Sequence, residues 1–385
     1  MRVGIGPFAD SPSGMAIATM DTAAGLYAAG VDVTMFVTGH ARVSPEAGNG
    51  VGRVVRLEPV PRLMRHPRVG DAVFLASKLS LSRRWAQALA EHPVDLVHTF
   101  SPGCVALLPR PPVAVTQAWF HPPRLVPRLR TMLPFKSRFP PMFAAHTLLE
   151  LQSHASDRLG YRRAELILAN TPTAEAGFRE RGFHVRCIPP SIALPDTLPE
   201  REPSDALRVV FCGHPLTNPR KGFGRLIEAL PLVEGGPIEL TVFGGVSEPF
   251  AEGIEAARRA GVKVELLGYQ PRERYLEHLG RRTDLLAFPS LYEEWGYALL
   301  EALSRGVPAL AFDLYPFFDI LDEDTGMVVR KDGPEPLARG LEAALRGELP
   351  ASERVFESTR RRFSAEAVVP RLIDAYEETL RQVRE

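Results

Sequence analysis

Cysteine is scarce in this sequence and does not cluster: Cys104, Cys187 and Cys212 stand far apart, with no paired spacing. That excludes a zinc cluster or a disulfide framework as the organising device, and leaves three small residues of the kind that pack in interiors. No apolar run approaches the roughly 18 residues that a bilayer-spanning helix requires. There is no short-period repeat and no low-complexity tract, which sets aside solenoids and disordered tails. The chain opens on Met1, Arg2 and an apolar strand, with no charged segment leading into a long hydrophobic stretch and a small-residue cleavage site, so a cytoplasmic location is expected. Net charge is absent as well, because 46 Lys+Arg balance 46 Asp+Glu.

That balance is not local. Residues 1–195 hold 22 Lys+Arg against 13 Asp+Glu, and the remainder holds 24 against 33. A basic N-terminal half suits an anionic surface or acceptor; an attraction between the two halves would leave the same trace. With an apolar share of 45% and a charged share of 24% the composition is that of a globular protein. A chain of 385 residues outgrows one ordinary core, so two domains of roughly 180 residues each are expected.

Short apolar runs alternate with helical patterns through both halves, the mark of stacked βα units and a parallel sheet. In the first half, strands are expected at 3–6, 31–37, 94–98, 113–116, 166–169 and 185–188, with helices at 14–29, before 166 and at 173–181. Pro189, Pro190, Pro195, Pro199 and Pro203 then follow so densely that residues 189–206 read as a linker. The second half begins again with a strand at 207–212 and continues with strands at 239–243, 262–267, 285–289 and 309–312. Helices are expected at 223–232, 252–260, after Gly296, at 336–346 and at 366–383. The domains are placed at 1–195 and 196–365, with the terminal helix of about 366–385 packing back on the first. Ligands of open parallel sheets bind at the carboxyl ends of the strands, so the loops there carry the information.

The segment from Pro289 through Ser290, Leu291, Tyr292, Glu293, Glu294, Trp295, Gly296, Tyr297, Ala298 and Leu299 to Glu301 follows a buried strand, turns at a glycine and opens a helix. Amides at such a helix start favour phosphate. A carboxylate accepts two donors at once, which suits Glu293 to sugar hydroxyls and Glu301 to the vicinal hydroxyls of a ribose. The spacing, seven residues between the two glutamates, with Gly306-Val307-Pro308 beyond, resembles the two-glutamate signature of the retaining glycosyltransferases of family 4. That resemblance implies an α/β GT-B fold, with two Rossmann-like doubly wound domains facing across a cleft. It also implies contact of Glu293 with the transferred sugar and of Glu301 with the ribose. Glu294 departs from the small residue usual after the first glutamate; a solvated helix start with two incidental acids is the plainer reading of the segment.

The first strand of the second half ends in Cys212-Gly213-His214, and the loop continues to Pro219-Arg220-Lys221-Gly222. Breaking a sugar–phosphate bond without a metal requires cations and amides to take up the charge of the diphosphate. Arg220 and Lys221 resemble the basic pair of the family, and His214 stands where that family often has an arginine. As plain surface charges they would be misplaced, because cations are unfavourable at a helix N-terminus unless an anion is also there. By resemblance, Gly14 belongs to a glycine-rich loop of the first domain, and Gly268, Tyr269 and Gln270 meet the base of the donor. Gly4, Gly6 and Gly14 lack the G-x-G-x-x-G spacing and the later acid of a nicotinamide site.

Family members carry a sugar-contacting histidine after a strand of the first domain; Ala118 occupies the nearest position here. His121 is the candidate replacement, with a structural role as the alternative, and His98 is a second candidate. Residues 124–139 interleave Arg124, Arg128, Arg130, Lys136 and Arg138 with Leu125, Val126, Leu129, Met132, Leu133, Phe135 and Phe139. Such a segment fits peripheral contact with the inner face of a membrane, collection of an acidic acceptor, or a lid.

The reading that follows from the resemblance is a hexosyltransferase with no cofactor and no metal. It uses a nucleotide diphosphate sugar of the UDP or GDP type, an acceptor that is a small molecule, a glycan or lipid-linked, and no nucleic acid. A non-catalytic nucleotide-sugar binding protein and a GT-B epimerase are the alternatives.

Overall fold

The computed structural model describes residues 1–9, 14–38, 50–58, 74–106, 108–109, 112–118, 140–213, 219–245 and 248–385. They form two compact units: Met1–Ser191 together with Ala365–Glu385, and Ile192–Ser364.

The sheet of the first unit has seven strands: β1 (Arg2–Ala9), β2 (Asp32–Thr38), β3 (Arg53–Leu57), β4 (Leu96–Thr99), β5 (Val113–Ala118), β6 (Leu166–Ala169) and β7 (Val185–Cys187). They lie in the order β3-β2-β1-β4-β5-β6-β7, every pair parallel. Strands covered on both faces read as unbroken apolar runs, and β4, β5 and β6 are buried along their whole length. Side chains alternate between the faces. Met35, Leu96 and Val115 join Leu26 of the helix Gly14–Ala28 on one side, whereas Phe36, Val97 and Ala114 join Trp85 of the helix Phe74–Glu91 on the other. The last helix, Ala365–Arg384, places Val368, Leu372 and Tyr376 in the first of these cores.

The second unit repeats the plan with β8 (Leu207–Cys212), β9 (Ile238–Phe243), β10 (Lys263–Gly268), β11 (Leu285–Phe288), β12 (Ala309–Phe312) and β13 (Gly326–Val329), in the order β10-β9-β8-β11-β12-β13. Phe211, Leu240, Val242, Leu285 and Leu310 anchor its core against Phe223, Leu226 and Leu341 of the flanking helices. The helix expected at 223–232 stops at Ala229 and continues as a 3-10 turn, Leu230–Leu232, because Pro231 has no amide to extend the α-helical ladder. The patterns of β3, β13 and the helices Phe74–Glu91, Arg272–Arg282 and Ser352–Phe363 escaped the sequence reading. The strand order reverses between β1 and β4 in one sheet and between β8 and β11 in the other. Doubly wound sheets bind ligands in the crevice outside such a reversal, at the carboxyl ends of the strands.

Candidate functional site

At the reversal of the second sheet the loops leaving β8 and β11 are locked together. The amide of Gly213 closes β8 by donating to the Phe243 carbonyl at 3.0 Å. Pro219–Lys221 then form a 3-10 turn, ended by Gly222 with φ +73°, where a Cβ would stand 1.8 Å from the Pro289 carbonyl oxygen. Only glycine tolerates both that backbone sign and that proximity. The Leu291 amide donates to the Arg220 carbonyl at 2.7 Å, completing the clasp.

This clasp brings the predicted basic pair to the first predicted acid. Lys221 Nζ donates to Glu293 Oε2 at 2.6 Å, with side-chain exposures of 18% and 9%. The ammonium also sits 5.7 Å from the centre of the Phe288 ring, and the Arg220 guanidinium 5.9 Å from that of Tyr292. Two opposite charges withdrawn this far from water are held by each other, and removal of either leaves the partner at a desolvation cost. The Glu294 amide donates to Glu293 Oε1 at 3.3 Å, so both oxygens of that carboxylate are positioned.

Gly296, with φ +82°, turns the chain into the helix Tyr297–Leu303. Glu301 lies on it, nearly buried, and accepts from Arg272 Nε at 2.6 Å. Arg272 was missed from sequence, although it opens the helix Arg272–Arg282 directly after the β10 loop. The signal was available: a cation at a helix start again asks for an anion. In the loop itself Gly268 has φ +65°, Gln270 Nε2 donates to the Leu267 carbonyl at 2.7 Å, and Tyr269 is 64% exposed. Trp295 and Tyr297 are buried, Trp295 edge-on to Phe363. Their side chains therefore support the site from behind, and what they can present to a ligand is backbone; Ala298 is half-buried. Ser290 Oγ and Trp295 Nε1 are buried with no hydrogen-bond partner among the described residues, an arrangement that interiors generally avoid. Cys212 closes β8 and accepts from the Tyr275 hydroxyl at 3.2 Å. Burial pushes its thiol up to about 11, which removes it as a nucleophile.

His121, His214 and residues 124–139 lie outside the described residues. Gly14 begins its helix as expected, and Ala118 is buried at the end of β5. His98 proves to be an interior residue. Its ring stacks on Phe100 with centroids 4.8 Å apart, and its Nδ1 lies 2.6 Å from the Tyr376 hydroxyl. Burial pushes its pKa down to about 3, against a smaller opposing effect of Gln117. Gln117 in turn donates to Asn170 Oδ1 at 2.6 Å and to the Ile188 carbonyl at 2.9 Å.

Solved structures share this fold. Sucrose-phosphate synthase from Thermosynechococcus elongatus superposes with a TM-score of 0.72 at 19% identity, over 98% of each chain. HepE from Anabaena, solved in complex with UDP-glucose, superposes at 0.68 and 16% identity over 98% of this chain and 99% of its own. The architecture is thus that of the GT-B proteins, two parallel-sheet α/β domains in one chain. The family matches agree: residues 13–190 match the glycosyl transferase 4-like domain and residues 200–367 the glycosyl transferases group 1. By both its domains the chain belongs with the glycosyltransferases of the family 4 type. The phosphatidyl-myo-inositol mannosyltransferase of Propionibacterium freudenreichii subsp. shermanii is 34% identical over 122 residues, 31% of this chain and 29% of that relative's length. The matched stretch therefore spans under a third of that relative.

Proposed function

We propose that the protein transfers a sugar from a nucleotide diphosphate donor to an acceptor with retention of anomeric configuration, without a metal. The observation that carries this reading is the Lys221–Glu293 contact of 2.6 Å, built by the loops that leave β8 and β11 where the strand order reverses. At rest the two charges satisfy each other. On donor binding the diphosphate takes over the ammonium of Lys221, with Arg220 beside it, and Glu293 turns its oxygens to the hydroxyls of the transferred sugar. Glu301 accepts the ribose hydroxyls. His121 is the candidate contact from the first unit, which takes the acceptor.

The step is a same-face substitution. The bond from the anomeric carbon to the phosphate oxygen breaks and the bond to the acceptor oxygen forms on that face. The departing phosphate oxygen receives the acceptor's proton, so atoms and charge balance without a covalent enzyme intermediate. The HepE structure with UDP-glucose supports a nucleotide sugar as donor. The name of the mannosyltransferase relative supports a lipid-linked acceptor among the candidates.

Thermal unfolding across a panel of nucleoside diphosphates and their sugars tests the donor, since a ligand that binds only the native state raises the melting temperature. UDP or GDP is expected to stabilise the protein, and donor plus acceptor to yield free nucleoside diphosphate. Stabilisation with neither hydrolysis nor transfer would identify a binding protein, and conversion of the donor sugar alone an epimerase. Product of inverted configuration would refute retention.

A further inference from the structure

The helix Pro140–Arg163 turns to solvent a face made of two residue types. Its inner side is anchored, with Glu150, Ser156, Gly160 and Tyr161 buried. A Cβ on Gly160 would stand 1.8 Å from the Pro102 carbonyl oxygen, so the backbone lies directly against the 3-10 turn Pro102–Val105. Tyr161 meets Phe178 edge-on at 4.9 Å between ring centres. From Thr147 onward the exposed positions are Leu148, Leu151, Arg158, Leu159 and Arg162, and no others.

At about 100° per residue these five fall within roughly 100° of arc, opposite the anchored side, along about 21 Å of axis. A helix that buries one face in a globular core ordinarily presents polar residues on the other. Here the leucines at 148, 151 and 159 are 45%, 39% and 47% exposed. The acids of the stretch are off this face, Glu150 buried and Asp157 half-buried. Arg158 and Arg162 form no ion pair with another described residue.

We propose that this face docks on an anionic lipid surface. The leucines enter the boundary between headgroups and acyl chains while the two guanidiniums, on the same arc, bind lipid phosphates. The sign of the charge decides the occupant. In an antiparallel two-fold pairing centred on the patch, Arg158 and Arg162 would fall opposite the leucines at 151 and 148 of the second copy and meet no anion, whereas an anionic bilayer complements both residue types at once. The basic excess of residues 1–195, 22 Lys+Arg against 13 Asp+Glu, acts in the same direction. The inference rests on this surface alone and is independent of the donor assignment.

Co-sedimentation of the full chain with vesicles tests it, comparing phosphatidylcholine alone with phosphatidylcholine mixed with phosphatidylglycerol. Binding is expected to the anionic vesicles only, and to weaken at high salt. Leu151→Ser with Leu159→Ser, and separately Arg158→Gln with Arg162→Gln, should each reduce partitioning by about tenfold or more. Melting temperature and circular dichroism should not move, because all four side chains are exposed. No binding to anionic vesicles, or binding by both variants as strong as that of the native chain, overturns the proposal. So does a dimer of the native chain that the leucine variant dissolves, since it would assign the face to a second copy.

Discussion

The two units share a strand order and differ in what they place at its reversal. Beside β8 and β11 stand four charged groups paired in two short contacts, Lys221 with Glu293 and Arg272 with Glu301. At the end of β4, beside β1, stands a neutral interior built on His98, Phe100 and Tyr376, with Gln117 and Asn170 on the strands beyond. Topology supplies a crevice in both cases. Chemistry separates them: paired charges can be exchanged for those of a ligand, whereas neutral buried groups hydrogen-bonded to one another fix a core.

The sharpest way to break this contrast is to empty the charged side. Lys221→Ala should lower turnover on the order of 10³-fold with the far-ultraviolet circular dichroism unchanged, because the developing phosphate charge loses its cation. It should also cost stability, since Glu293 keeps its burial and loses its partner. The double variant Lys221→Met, Glu293→Gln should recover that stability while turnover stays low. Recovery of turnover would mean that the pair is merely structural.

On the neutral side the corresponding lever is acid. His98 has a folded pKa of about 3, below its unfolded value, so between these limits the unfolded chain binds more protons than the folded one. Stability therefore falls as pH drops below about 6.5, by roughly 3 kcal/mol between about pH 7 and about pH 4 from this group alone. Denaturant titrations of the protein and of His98→Gln across that range should differ in slope; parallel curves would place the imidazole in contact with water.

A smaller effect belongs to the clasp beneath the charged pair. Gly222→Ala sets a Cβ against the Pro289 carbonyl at positive φ, and should destabilise the second unit by roughly 2–3 kcal/mol. Unchanged unfolding would show that the loops of β8 and β11 are not held together at this point.

Much of the fold was legible because parallel strands covered on both faces leave unmistakable marks, as in the apolar stretches that became β8, β11 and β12. The helix at 14–28 and the turn at Gly296 were legible for local reasons, through spacing and a glycine. Elements with mixed composition were not. The helix Arg272–Arg282 buries only Tyr275, Leu279 and Gly280, amid charge, and β13 is only half-buried throughout. Of the candidate site, Lys221, Arg220, Glu293 and Glu301 stood out because charged residues at strand ends and helix starts demand a reason. Arg272 had the same claim and was overlooked. Trp295 and Tyr297 stand in the same motif with their side chains buried, a direction that a place in the motif does not reveal.

From the order of residues alone follow the class of fold, the spacing of the two glutamates along a loop and a helix, and the presence of cations where anions are wanted. These depend on neighbours within a few positions, where periodicity and conformational preference act. That Lys221 closes on Glu293 from 72 residues away, that Arg272 holds Glu301, and that His98 is sealed against Tyr376 of the last helix were decided by the tertiary structure. The register of strands and the packing of helices choose such partners, and those choices are made by burial summed over the whole core, which no short stretch of sequence contains.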